Sequence, residues 1–177
     1  MEEKLKSRTK SFVEYVISRS NKDSAFRAAF KKAENPQTKY DALEYLINFC
    51  DIENKYEYEP FLLIGFAIAK AKLKKDGDIP FGLALLRTTE RKNDENNPAK
   101  LRLRRILSCS DIDELVMILR PAINLIISKQ IDLNYSDLLY DILNWNYDWK
   151  IENTKIKWAK DFYKGGKNVS EFMEDRN

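Results

Sequence analysis

Residues 98–108 read PAKLRLRRILS. The reading of this stretch decides the fold. Lys100, Arg102 and Arg104 alternate with Leu101 and Leu103, and a period of two belongs to a half-buried strand. Leu103, Ile106 and Leu107 also have the i, i+3, i+4 spacing of a helix stripe. A strand needs a neighbour to take up its backbone N–H and C=O groups, and no other segment of the chain reads as one. The spacing therefore predicts a helix over 98–108, opened by Pro98, where a missing N–H does no harm. The chain is then all-α.

The flanking segments repeat the helical period. In 5–18, Leu5, Phe12, Val13, Val16 and Ile17 fall mostly on one side. Asp23 is placed to cap a helix over 24–34, which Asn35-Pro36 stops. Thr38 is placed to cap a third, with Tyr40, Leu43, Leu46, Ile47 and Cys50 on its stripe. Residues 51–59 read as an acidic connector, and Pro60 as the first turn of a helix over 61–75. That helix is apolar on all sides at first, as a helix in the middle of a core is. A short helix lies within 79–89. Ser110 and Asp113 have capping-box spacing ahead of a helix over 111–129, in which Ile112, Leu115, Val116, Leu119, Ile123 and Ile126 keep one phase through Pro121. We expect one kinked helix there. Ser136 is read as the cap of 137–145, and Thr154 as the cap of 155–163. Gly165-Gly166 is read as a helix stop.

The expected architecture is a two-lobed helical bundle of about eight helices. Its parts are an N-terminal lobe, 1–90, a polar loop, 91–97, a C-terminal lobe, 98–164, and a polar tail, 165–177, in one compact all-α unit. The chain has 177 residues, 44% hydrophobic and 33% charged, enough to bury a core without disulfide or metal. The N-terminus MEEKLKSRTK leads into no apolar run, and no signal peptide is expected there. FLLIGFAIA, 61–69, is too short to span a bilayer. We expect a cytoplasmic protein without membrane contact, its two cysteines, Cys50 and Cys109, free and buried in a reducing compartment.

The sequence contains no histidine. This excludes Ser-His and Cys-His nucleophiles, histidine bases and the common zinc sites. Two triplets, Glu53-Asn54-Lys55 and Asp148-Trp149-Lys150, have the acid-x-Lys pattern of metal-dependent nucleases. Such triplets sit on strands beside another acid, and no strand is expected here, so both read as solvated charge. No catalytic residue, metal or cofactor is expected.

The net charge of +3 is unevenly spread. Residues 1–60 carry 11 Lys+Arg and 11 Asp+Glu, residues 61–105 carry 11 and 5, and residues 106–177 carry 9 and 12. The excess of positive charge lies in mid-chain and suggests an anionic partner. Arg27, Lys31 and Lys32 share a flank of the helix over 24–34. Lys70 and Lys74 are also four apart, with Lys75 beside them. Arg102, Arg104 and Arg105 crowd the helix over 98–108, where Arg104 and Arg105 point away from the stripe. Each cluster alone reads as a solvated face. Their spread over several helices with few compensating acids is what a phosphate-tracking surface requires. Trp145, Tyr147, Trp149, Trp158, Phe162 and Tyr163 crowd the last quarter. They suit base-stacking platforms or a helical core, and the i, i+4 spacing of Trp158 and Phe162 favours the core.

The order of these motifs resembles the CasB family, the small subunit of the type I-E CRISPR surveillance complex, Cascade. The resemblance runs over residues 10–163. It begins with an Ala-x-Arg element, SAFRAAFKKA with Arg27, and continues with Gly82-Leu83-Ala84-Leu85 and the arginine-rich LRRIL with Arg104 and Arg105. Leu119-Arg120 ends the next helical motif. Ile131-Asp132 then leads to a leucine-rich helix ending at Trp145, and Trp158-Ala159-Lys160-Asp161-Phe162-Tyr163 closes the series. Two features depart from the pattern. Ser20-Asn21-Lys22-Asp23 stands where the family often has a glycine, and Pro121 follows the Leu-Arg pair.

The resemblance implies a two-lobed all-helical protein without catalytic activity. It implies partners as well: the crRNA-bound backbone and large subunits of Cascade, a second copy of the chain, and target and non-target DNA, with basic surfaces stabilising the R-loop. The nucleic-acid-binding residues expected are Arg27, Lys31, Lys74, Lys75, Arg102, Arg104, Arg105 and Arg120. The alternative from a different class is a helical interaction module whose basic face meets an acidic protein.

Overall fold

A computed structural model describes residues 2–90 and 97–174, with side chains as far as Gly165. Among these residues the chain forms eight α-helices and one 3-10 helix. They are α1 (Glu2–Lys22), α2 (Ser24–Lys32), the 3-10 helix (Lys39–Tyr45), α3 (Lys55–Ala71), α4 (Phe81–Arg87), α5 (Pro98–Ser108), α6 (Ile112–Ser128), α7 (Tyr135–Asn144) and α8 (Asp148–Glu174). The only strand-like pairing among them is an isolated bridge between Ile79 and Leu133. The polar loop expected at 91–97 lies, apart from Asn97, outside the described residues.

The centre of the molecule is α3. Every residue from Pro60 to Ala69 is buried, because α1, α2, α6 and α7 pack around it. Phe12 of α1 sits at the aromatic heart, edge-on to Phe61 at 4.8 Å, Phe49 at 5.2 Å and Phe30 at 6.3 Å between ring centroids. Such edge-to-face pairs add to the stabilisation from burial alone. On the other side α4 lies against α8, where Phe81 is tilted against Trp158, and Trp145 from the end of α7 stacks on Trp158. Helices before and after residues 91–96 thus share one core.

Several boundaries differ from the sequence expectation. The helix over 55–71 starts five residues before Pro60, capped by the Asn54 side chain, which accepts from the Tyr56 N–H at 3.1 Å. Pro60 is an interior residue and leaves the Tyr56 carbonyl without its i+4 donor. The Asn146 side-chain amide, 90 residues away, donates to that carbonyl at 3.2 Å. The same helix stops at Ala71, where Lys72 takes the left-handed conformation with φ 53°. Residues 72–75, expected to be helical, lie beyond it.

The stretch after Thr38 is a 3-10 helix, and Thr38 donates its hydroxyl to the Lys32 carbonyl at 2.9 Å instead of capping. Its inner face is Ala42, Leu46 and Cys50, while Tyr40 and Ile47 are exposed. The caps of α6 and α7 are Asp111 and Asn134, each one or two residues from the Ser110 and Ser136 expected. Pro121 lies inside a single helix, α6. Thr154 is buried inside α8.

The α8 helix also passes through Gly165-Gly166. No described glycine has a positive φ, so Gly165 is not a left-handed cap. It serves close packing: a Cβ there would stand 2.4 Å from a methyl carbon of Leu83 in α4.

Two polar networks fix the helix ends. Asp76, in the loop after α3, accepts from the Tyr135 N–H at 2.8 Å, the Ser136 N–H at 3.1 Å and the Ser136 hydroxyl at 2.6 Å. It caps α7 from 59 residues away, satisfying donors that the helix cannot. Asp141 of α7 is buried and holds α8: it accepts from the Trp158 Nε1–H at 2.7 Å and from the Lys157 ammonium at 2.9 Å on both oxygens. Burial pushes its carboxyl up to about 6 against the pull of Lys157.

Candidate nucleic-acid interface

The α5 helix forms as its sequence predicts. Asn97 accepts from the Ala99 N–H at 2.8 Å as its cap, and Pro98 follows. Its buried stripe is Ala99, Leu103 and Ile106, with Leu107 only half-buried. Arg102, Arg104 and Arg105 are exposed. None is in an ion pair with an acid among the described residues.

Of the acids that follow in sequence, Glu114 lies near the end of α5 that carries Cys109 and acts on that thiol, and two others have partners. Asp111 caps α6, and Asp113 pairs with Lys55 at 2.6 Å. A further cation, from α8, lies near the same end of α5. Half-buried Lys155 lies over the Trp145 ring at 5.6 Å, and its charge and that of Arg105 pull the Cys109 thiol down against Glu114 and Asp111. Burial dominates there and pushes the thiol up to about 11. Lys155 is 50 positions from Arg105 and no local pattern marks it.

A second group of cations gathers where α1, α2 and the end of α3 meet. The Asn21 side-chain amide joins the ends by donating to the Ile17 carbonyl and to the Leu73 carbonyl, each at 2.8 Å. Arg27 donates to the Ser20 carbonyl at 3.0 Å and so closes the last turn of α1. It is half-buried. Lys31 is exposed towards the other end of α2, past Phe30, which packs on Gly65 of α3. Lys74 and Lys75 are exposed after the end of α3. Lys22 and Lys72, absent from the expected set, are exposed beside them. The expected Lys70–Lys74 helical pair does not form, because α3 ends between them. Lys70 turns to the Asn124 side chain at 2.9 Å.

Arg120 belongs to neither group. It is half-buried in α6, over the Phe66 ring at 5.7 Å, and its Nη1 is buried without a partner. It lines a cavity of about 250 Å³ with Glu34, Glu59 and Asp113 among the walls. Burial pushes its guanidinium below the ordinary range, and Glu59 and Glu34 pull it back. Lys39 lines the same cavity and is paired with Glu59, and Asp113 is paired with Lys55 at 2.6 Å.

The aromatic residues of the last quarter divide. Trp145, Trp158 and Phe162 are core, and Tyr147, Trp149 and Tyr163 are exposed. The two acid-x-Lys triplets stand at helix starts. Asn54 is the cap of α3, and Asp148 is the first residue of α8. No group of three or more Cys, Asp or Glu side chains among the described residues is arranged to hold a metal ion. No helix among them is long and apolar enough to cross a membrane.

Comparison with solved structures gives a similar fold at low identity. A chain of a CRISPR RNA-guided surveillance complex matches with TM-score 0.76 and 15% identity, over 96% of this chain and 99% of that one. CasB from Thermus thermophilus matches with TM-score 0.68 and 21% identity, over 88% and 97%. CasB from Thermobifida fusca matches with TM-score 0.66 and 13% identity, over 89% and 97%. No curated protein matches by sequence. The family model of the CRISPR-associated protein Cse2 matches residues 26–163, which takes in the helices from α2 to α7 and most of α8. By that match, and with the fold of the CasB structures, the chain belongs to the Cse2 family of CRISPR-associated proteins.

Proposed function

We propose that this protein is a non-catalytic small subunit of a type I-E Cascade complex. It binds nucleic acid through the exposed face of α5 and the α1–α2–α3 end, and so stabilises the R-loop and the displaced strand in antiviral defence. Its partners are the crRNA-bound backbone and large subunits, a second copy of the chain, and target and non-target DNA in the cytoplasm. The fold likeness to a chain of a surveillance complex supports membership.

One observation carries the nucleic-acid reading. Arg102, Arg104 and Arg105 stand exposed and without acidic partners among the described residues, on a helix that other residues pack into place. Cations held this way release counterions when they meet phosphates. They read no base, and none needs reading where a guide RNA supplies specificity by pairing. Lys155, Lys31, Lys74 and Lys75 extend the surface. Arg27 supports it through its bond to α1, and Arg120 lies outside it.

The test is single-stranded DNA binding by Arg104→Ala/Arg105→Ala at several salt concentrations, with melting temperature in parallel. Affinity should fall alike for every sequence. The salt slope should flatten by about 0.7 for each phosphate that the variant no longer neutralises. The melting temperature should stay, since neither arginine is part of the buried stripe. Unchanged binding and slope, with retained binding to an acidic protein, would replace this reading by that of a protein-interaction module.

A further inference from the structure

A groove of about 490 Å³ lies where the start of α1 meets the start of α8, lined by Glu2, Lys4, Leu5, Arg8, Glu57, Tyr147, Trp149 and Lys150. We infer that this groove takes one unpaired nucleobase, stacked on Trp149, with the adjoining phosphate on Lys4. The inference rests on the nucleic-acid reading above and adds a site away from the arginines of α5.

Trp149 is 68% exposed and Tyr147 49%. An indole this open is unusual, since tryptophan is mostly buried in folded proteins. Both rings stand at the start of α8, Tyr147 just before its first residue. The Tyr147 carbonyl accepts from the Lys150 and Ile151 N–H groups, and Asn146 fixes the preceding turn to the Tyr56 carbonyl. The Lys150 ammonium rests 5.1 Å from the Trp149 centroid and 5.4 Å from that of Tyr147, tied to the Asn144 side chain at 3.0 Å. It orients the rings from one side.

The charges of the groove select the occupant. Glu57 is paired with Arg8 at 2.6 Å, and Glu2 is near Lys150 at 3.7 Å. Exposed Lys4 is left without an acid partner among the described residues. Among the charges that line the groove the unmatched one is therefore positive; Asp148 and Glu3, exposed next to Trp149 and Lys4 in sequence, are not among its lining residues. A flat π face next to a free ammonium is the combination that holds an unpaired base and its phosphate. A duplex offers no free base face, so the site is selective for single strands.

The chain itself supplies the probe. Trp145 and Trp158 are buried, so quenching of tryptophan fluorescence by an oligothymidylate of about 20 nucleotides reports on Trp149. We expect quenching in the wild type. Trp149→Ala should bind that oligomer about 5- to 150-fold more weakly, the range for removal of one base–aromatic stack. Its salt slope and its affinity for a duplex of equal length should not change. Trp149→Phe, which keeps a ring, should bind nearly as tightly as the wild type.

If Trp149→Ala binds the oligomer as the wild type does, the stacking site is refuted. A flattened salt slope in Arg104→Ala/Arg105→Ala would leave the wider reading standing. Normal oligomer binding by Trp149→Ala with failure to enter an assembled complex would make the groove a protein contact and overturn the inference. Equal weakening in the Ala and Phe variants, both still melting like the wild type, would overturn stacking too. No binding by the wild type would remove both readings.

Discussion

Gly82→Ala tests the contact that joins α4 to α8. A Cβ at position 82 would stand 2.1 Å from the Trp158 carbonyl oxygen, 2.9 Å from the Phe162 nitrogen and 3.0 Å from the Trp158 carbonyl carbon. All three neighbours are backbone atoms inside a helix, so no side-chain rotation makes room. The nearest approach is about 1 Å too short for ordinary contact, and α4 must move away from α8 by a similar amount. That opens the contact in which Phe81 lies 4.8 Å from Trp158, and Trp158 5.4 Å from Trp145.

Overpacking of this kind costs about 1–3 kcal/mol. Alanine returns up to about 1 kcal/mol of helix propensity, less at the second residue of a helix. Backbone neighbours put the packing cost at the top of its range, and we expect a net destabilisation of about 2 kcal/mol. For a chain of this length that lowers the melting temperature by about 4–8 °C. Urea unfolding and a thermal melt followed by circular dichroism both measure it. An unchanged or higher melting temperature would refute the reasoning, because α4 and α8 would then sit further apart than described.

Asp141 predicts a pH dependence. Its folded value, about 6, lies above its ordinary 3.8, so the folded state binds the proton first as pH falls. The stability this contributes is complete below about pH 4 and is lost as pH rises through 6, up to about 3 kcal/mol in all. Denaturation of wild type and Asp141→Asn across pH 4–7 should show that slope in the wild type alone, and equal slopes would contradict it. Asp76→Ala removes three hydrogen bonds to the start of α7 and should cost about 2 kcal/mol, read by urea unfolding. Cys50 and Cys109 are buried, with thiols pushed up to about 12 and about 11 by burial. Ellman's reagent should label neither quickly at pH 8 in the native protein and both after denaturation.

The sequence by itself determined what is local. The stripe of 98–108 and its opening proline gave α5 its bounds, the Asp23 side chain marked the start of α2, and the apolar run from Phe61 marked the central helix. These follow from a period of 3.6 and from the conformational habits of single residues, which need no distant partner. Tertiary structure decided wherever two neighbouring residues were equally fit for one role, as with Ser110 and Asp111, or Asn134 and Ser136. It also decided where the partner lies far along the chain. Pro60 can sit inside α3 because Asn146 answers the Tyr56 carbonyl, and Gly165 continues α8 because Leu83 of α4 approaches it. The candidate site divides in the same way. That Arg104 and Arg105 leave the packed stripe was legible from spacing. That Lys155 lies near the end of α5, that Arg120 faces carboxylates, and that Trp149 is open while Trp145 is buried depend on which helices meet, which is set by the packing of the whole core.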